Sequence, residues 1–202
     1  MISQFEGYQR TDNPAIFDEM FAQRKRTFHD EKGWDVQVVD GKYEIDSYDR
    51  DETVYLIDFD DQGRQVGSIR LLSTIGDHMM RGPFRSMFPD IDFRSPLIWE
   101  ATRFTVCDPR VQPNGVSTAA CEILLAMCRF GLEHGAAQIT AVYDAPMSRF
   151  YRRCGLHNRI AGKFQTEHHG MIYVGLWDIS RDLEARILRA TGLETQVESH
   201  AA

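Results

Sequence analysis

Long apolar runs are absent from this chain. None approaches the roughly 20 residues a membrane-spanning helix requires, and the opening residues MISQFEGYQRTD have neither a basic head nor an apolar core, so no signal peptide is expected. Cysteine is sparse: Cys107, Cys121, Cys128 and Cys154 form no C-x-x-C pair, which leaves buried free thiols in a reducing cytoplasm as the simpler expectation. Basic charge is in deficit. A net charge of -7 argues against a general nucleic-acid binder. No internal repeat or low-complexity linker divides the chain. His168-His169 is the one tempting metal pair, but adjacent side chains diverge and no third ligand is suitably spaced, so no metal is expected. What remains is ordinary for a globular protein: 43% hydrophobic and 26% charged residues over a length of 202. That length suits one domain, expected over 1–192, with a frayed tail at 193–202.

The densest chemistry lies between Arg24 and Asp49. Asn13-Pro14 is a helix start, because Asn caps well and Pro suits the first helical position. Phe17, Met20, Phe21, Arg24 and Phe28 follow at helical spacing, so Arg24 falls inside an apolar stripe. A guanidinium there is costly unless an anion meets it. Gly33-Trp34 breaks the helix, and Glu44, Asp46 and Asp49 come after the Asp40-Gly41 turn. Glu44 and Asp46 alternate, so in extended chain they share a face. Three acids alone read as a solvated loop. With an inward Arg24 and Trp34 beside them they read as a pocket for a ligand carrying both a cation and an anion.

Further along, TVYLIDF (53–59) and QVGSIRLL (65–72) are expected to pair as a hairpin around Asp60-Gly63, with Arg70 on the second strand. Residues 73–97 form an irregular loop rich in Met and Phe, too apolar to float free. In the strand IWEATRFTVC, regular alternation puts Ile98, Glu100, Thr102, Phe104 and Val106 on one face. Trp99, Ala101, Arg103 and Thr105 then take the other, and Arg103 points away from Glu100 unless the strand carries a bulge. A carboxylate among those apolar neighbours needs a raised pKa or a partner; a surface ion pair of Glu100 with Arg103 is the plain alternative. Asn114-Gly115 leads to a helix capped by Ser117, with Ala120, Ile123, Leu124, Met127 and Phe130/Gly131 buried. AQITAVY (137–143) is a strand, MSRFYRRCG a helix, MIYVGLWDI (171–179) a last strand, and Ser180 caps a final helix. Arg149, Arg152 and Arg153, with Arg159 and Lys163 after them, form either a solvated face or a docking patch for an acidic carrier protein.

R-x-x-x-F at Arg24 and Phe28, then Gly33-Trp34-Asp35, Glu44-x-Asp46-x-x-Asp49 and Glu100-Ala101-Thr102-Arg103-Phe104 together resemble the LuxI-type autoinducer synthases, the acyl-homoserine-lactone synthases. The resemblance spans roughly residues 5–180 and implies an α/β fold. That fold is a single domain, a central mixed β-sheet flanked by helices, an acetyltransferase (GNAT)-like three-layer sandwich. It implies an acyltransferase that uses S-adenosylmethionine as substrate, not as a prosthetic group. The other substrate is a fatty acyl thioester, on acyl carrier protein by preference or as acyl-CoA. Methylthioadenosine and N-acyl-homoserine lactone are the products. The family places Glu100 as base, with Arg103 and Arg24 as catalytic partners. Phe28, Trp34, Asp46, Asp49 and Arg70 are expected at the adenosylmethionine, and Phe84, Trp99, Thr102, Phe104, Met127 and Ala141 at the acyl group. Ala141 stands where makers of 3-oxo products often have threonine, which points to an unsubstituted chain. The glycine-rich acetyl-CoA loop is missing, which weakens an ordinary acetyl-CoA enzyme. An N-acyltransferase acting from acyl-CoA on another amine, and a non-catalytic adenosylmethionine binder, are the competing readings.

Overall fold

The computed structural model describes residues 1–112, 115–168 and 170–193. Asn114 of the expected turn, His169 and residues 194–202 of the expected tail lie outside the described residues. In chain order the elements are β1 (Ile2–Glu6), α1 (Pro14–Arg24), β2 (Val38–Val39), β3 (Tyr43–Glu44), β4 (Val54–Phe59), β5 (Gln65–Ser73), β6 (Ile98–Val106), α2 (Thr118–Glu133), β7 (Gln138–Asp144), α3 (Ala145–Arg153), β8 (Arg159–Gln165), β9 (Met171–Asp178) and α4 (Arg181–Thr191).

Seven strands form one mixed sheet in the order β1-β4-β5-β6-β7-β9-β8. All pairings are antiparallel except β6 with β7, which α2 joins as the crossover a parallel pair needs. The sheet is covered on both faces. Val54, Leu56, Ile69, Leu71, Ala101, Ile139 and Ala141 meet the apolar sides of α2 and α4. On the other face Tyr55 and Ile57 meet Phe17, Met20 and Phe21 of α1. Further along that face the loop before β6 lays Met80 and Phe88 on Val174, with Phe84, Met87, Ile91 and Phe93 around them. The result is three layers, which is why β4 is buried along almost its whole length instead of alternating.

The two edge strands, β1 and β8, are not legible as strands in the sequence. Each is bonded on one side only and carries polar residues along it, the usual composition of an edge that must not recruit another chain. Helix α1 begins at Pro14 as expected but does not stay regular: Lys25–Glu31 is a π-helical turn, which carries Phe28 inward. Ser117 and Ser180 cap α2 and α4 through Ala120 N–H (3.4 Å) and Leu183 N–H (3.1 Å). Leu193, at the expected tail boundary, is 5% exposed and belongs to the α2 core. Of the four thiols expected to be buried, Cys107 is exposed instead.

Regular alternation fails in β6. Arg70 pairs with Thr102 but Ser68 pairs with Thr105, so β6 holds one extra residue there, and Arg103 sits at φ 53. This is a bulge of the kind that re-aims a side chain. Beyond it the faces are exchanged. Thr105 joins Glu100 and Thr102, hydrogen-bonding Ser68 at 3.1 Å, while Phe104 and Val106 turn to the α2 side with Trp99 and Ala101. The expected sharing of one face by Glu100 and Phe104 is thereby corrected.

Candidate active site

The acids after the Asp40-Gly41 turn and three arginines from three separate elements close into a ring. Arg24, on the last turn of α1, donates from Nε to Glu44 Oε2 (2.6 Å) and from Nη1 and Nη2 to Asp49 (2.7 and 2.9 Å). Arg70, on β5, donates to Asp49 Oδ1 (2.9 Å) and to both oxygens of Asp46 (2.6 and 3.0 Å). Arg103, turned inward by the bulge, donates to Asp46 Oδ2 (2.8 Å) and to Glu44 Oε1 (3.0 and 2.9 Å). Positive and negative groups alternate all the way round, and the charges balance. Tyr55 Oη donates to Asp49 at 2.8 Å and Thr102 Oγ1 accepts from Arg70 Nε at 2.9 Å.

Burial alone would raise Asp49, but the Arg24 and Arg70 guanidiniums outweigh it and hold the carboxyl well below the usual range. Asp46 is held down in the same way, against burial, by Arg70. Arg24 is raised, burial being outweighed by Asp49 and Glu44. The ring is not evenly accessible. Arg24 and Glu44 side chains are 1% and 0% exposed, whereas Arg103 and Asp46 reach 10% and 13%. Arg24 therefore lies at the closed side of the ring, and its accessible edge is at Arg103 and Asp46.

Beside that open edge the Arg103 guanidinium lies 5.4 Å from the Phe28 ring centroid, and Phe28 stacks on Trp34 at 5.3 Å. Lys32 Nζ is 5.1 Å from the Trp34 ring. These flat apolar surfaces next to paired charges suit a molecule with an aromatic or sulfonium part and a charged part.

Glu100 is fully buried on the same face. Its oxygens accept from Met79 N–H (2.7 Å) and Met80 N–H (3.0 Å), not from Arg103, which overturns the surface ion pair as its explanation. Burial pushes its pKa up to about 7; the two N–H bonds and the Arg70 and Arg103 charges pull the other way without cancelling it. A carboxylate poised near neutral pH inside a protein is the profile of a general base. Met79 also sets its sulfur 3.3 Å from Arg70 Nη2 and 3.5 Å from Arg103 Nη1, so one residue touches both the ring and the base.

Four of the site residues carry weak signals or none. Glu44 was visible only as one of three acids, Tyr55 as a strand aromatic, and the Met79 and Met80 amides as nothing at all, because a backbone donor has no residue type. The residues expected at the acyl group are split by the sheet. Thr102 and Phe84 lie on the Glu100 face. Trp99, Phe104, Met127 and Ala141 lie on the α2 face, Trp99 edge-on to Phe130 at 4.9 Å and Phe104 5.7 Å from Phe150. Between the two groups of residues, the pairing of β6 with β7 covers Ile98–Glu100 against Gln138–Thr140 and ends there. Arg149, Arg152, Arg153, Arg159 and Lys163 are all exposed on α3 and β8. Among the described residues no group of three or more His, Cys, Asp or Glu side chains is arranged to hold a metal ion, and no helix is long and apolar enough to cross a membrane.

Residues 8–187 match the Autoinducer synthase family. An acyl-homoserine-lactone synthase of Rhizobium etli is 40% identical over 182 residues, covering 89% of this chain and 84% of the relative. Among solved structures, TofI in a ternary complex with an inhibitor and MTA superposes with a TM-score of 0.75 at 29% identity, covering 95% of this chain and 96% of that one. BjaI, a CoA-dependent acyl-homoserine lactone synthase with SAM and isopentyl-CoA, superposes with a TM-score of 0.81 at 25% identity, covering 95% and 89%. The shared architecture is the acetyltransferase-like three-layer sandwich.

Proposed function

Because the chain belongs to the autoinducer synthase family, we propose that it is an acyltransferase joining S-adenosylmethionine to a fatty acyl thioester, with Glu100 as base. The observation that carries this reading is a buried carboxylate of pKa about 7 beside an arginine–carboxylate ring with one open edge. The open edge takes the zwitterionic methionyl part: Arg103 meets the carboxylate, and Asp46 with Trp34 the cationic end. Phe28 walls the adenosyl part. Asp49, Arg70 and Arg24 hold Asp46 and Arg103 in place from behind.

The chemistry follows from these positions. A protonated amine is no nucleophile, so Glu100, directly or through a water, takes its proton. The amine attacks the thioester carbonyl, a C–N bond forms, and the resulting oxyanion is met by backbone N–H groups of β6 past Glu100, where its pairing with β7 has ended. The C–S bond breaks and the thiolate leaves with a proton. The methionyl carboxylate then attacks its own γ-carbon, closes the lactone and expels neutral methylthioadenosine. The acyl chain passes through the gap between β6 and β7 toward Phe104, Met127 and Ala141, with Phe84, Trp99 and Thr102 around its path; Ala141 offers no hydroxyl to a 3-oxo group.

The base assignment has a signed pH dependence. Below about pH 7 Glu100 is protonated and idle, so kcat/KM rises with pH through about 7 and levels above it. A profile of wild-type turnover against pH checks this; a flat profile between pH 5 and 8 contradicts it.

Acyl carrier protein is the favoured donor, because α3 and β8 carry five exposed basic residues in an acidic chain. Reversing charge at Arg152 and Arg153 together is expected to lower carrier-dependent turnover by about tenfold or more and to leave turnover from the corresponding acyl-CoA unchanged. Equal turnover with the carrier before and after reversal removes the docking role.

A further inference from the structure

Tyr48 and Gly82 meet beside the site, and neither has a role in the mechanism above. A methyl built on Gly82 would stand 1.9 Å from the Tyr48 hydroxyl oxygen and 3.1 Å from Cζ, so the hydroxyl lies directly on the Gly82 backbone. Tyr48 is itself held. Its N–H donates to Asp46 Oδ1 (2.8 Å), its carbonyl accepts from Thr53 Oγ1 (2.7 Å), and its ring faces the Arg70 guanidinium at 5.8 Å. On the other side of the contact, Gly82 closes a tight turn. Its N–H donates to the Met79 carbonyl at 3.1 Å, as does the Phe84 N–H, and Arg81 N–H donates to His78 at 3.1 Å. That turn is the one that presents the Met79 and Met80 N–H groups to Glu100. The approach to it is tied as well, by Arg50 Nη2 to the Asp77 carbonyl at 2.8 Å.

We infer that Tyr48 is a positioning residue for Glu100, pressing on Gly82 to seat the turn whose two N–H groups hold the carboxylate. The inference rests on Glu100 being the base. It links the acid-bearing segment to the base through packing: Tyr48 is anchored on Asp46 and Arg70, so the part that meets the methionyl group and the part that takes its proton share one support. Lifting the turn lengthens the N–H bonds to Glu100. Those bonds favour the charged carboxylate, so lengthening them makes it harder to ionise. The readout is the acid limb of the pH profile, which a loss of general stability does not move.

The experiment compares pH profiles of kcat/KM for the wild type, Gly82→Ala, Tyr48→Phe, the double variant and Glu100→Ala. Gly82→Ala is expected to lower kcat/KM at neutral pH by about tenfold and to move the acid limb up by roughly one pH unit. Tyr48→Phe alone costs a few-fold, about two to five. In the double variant the 1.9 Å clash is gone and only the 3.1 Å contact remains, so it recovers most of the Gly82→Ala loss and returns the limb toward the wild-type position. An unshifted limb in Gly82→Ala, or a double variant no better than Gly82→Ala, overturns the inference. If Gly82→Ala does not fold, Tyr48→Ala reads the same quantity: its limb moves up if Tyr48 seats the turn and stays if it does not. Glu100→Ala separates the two levels. Retained turnover there removes the base, whereas an inactive Glu100→Ala beside an unshifted Gly82→Ala removes only the role of Tyr48.

Discussion

Glu100→Ala is expected to lower kcat by about 10²–10⁴-fold, the usual share of a positioned general base, while adenosylmethionine affinity stays near that of the wild type. The separation follows from where Glu100 is bonded. Its oxygens go to the Met79 and Met80 amides and to no member of the arginine–carboxylate ring, so removing it leaves the ring intact. The substitution does orphan two buried N–H groups, at about 1–3 kcal/mol each, so the thermal midpoint falls too. Glu100→Gln controls for this, keeping the volume and one acceptor but no base. Titration calorimetry with adenosylmethionine reads the binding, and single-turnover acylation reads the chemistry. Loss of binding equal to the loss of turnover would move Glu100 from base to ligand contact.

Arg24→Ala carries the largest expected loss of stability. Arg24 lies 1% exposed and its guanidinium spans Glu44 and Asp49, so truncation takes one of two arginine partners from each of these buried carboxylates and leaves the ring with one negative charge in excess. Removing one partner of a buried ion pair costs about 3–5 kcal/mol, a large part of the whole stability of a domain this size. Lysine is not expected to rescue it, because a single ammonium cannot make the bidentate fork to Asp49 while also reaching Glu44. The loss depends on pH with a definite sign. Asp49 and Asp46 are held below their ordinary range in the folded state, so what the ring contributes is fully present above the unfolded carboxylate pKa. It fades as pH falls below that value through the lowered folded one. Urea unfolding of wild type and variant should therefore differ by several kcal/mol at neutral pH and converge in acid. A difference under about 1 kcal/mol at neutral pH means that the ring behaves as a surface network.

Much of this site is visible before the fold, and for physical reasons. Arg24 betrays itself by occupying an apolar stripe, where only a buried counter-charge makes it tolerable. The acids that supply it follow within one short segment. The caps at Ser117 and Ser180 and the covered strand β4 are local features, and they are readable locally. Three things are not. The bulge at Arg103 depends on how β6 meets β5, so alternation along β6 alone misplaces Phe104 and Thr105. The edge strands β1 and β8 lack the apolar pattern because half of their bonding is to solvent. The hold on Glu100 is made by backbone amides of a loop, which no choice of residue announces.

The most direct test of the account is a reaction of the purified protein with S-adenosylmethionine and an acyl thioester, analysed by mass spectrometry for every product. It predicts methylthioadenosine and N-acyl-homoserine lactone in equal amounts from the wild type and neither from Glu100→Gln. Acylation of another amine with no methylthioadenosine, or undiminished lactone from Glu100→Gln, would contradict it.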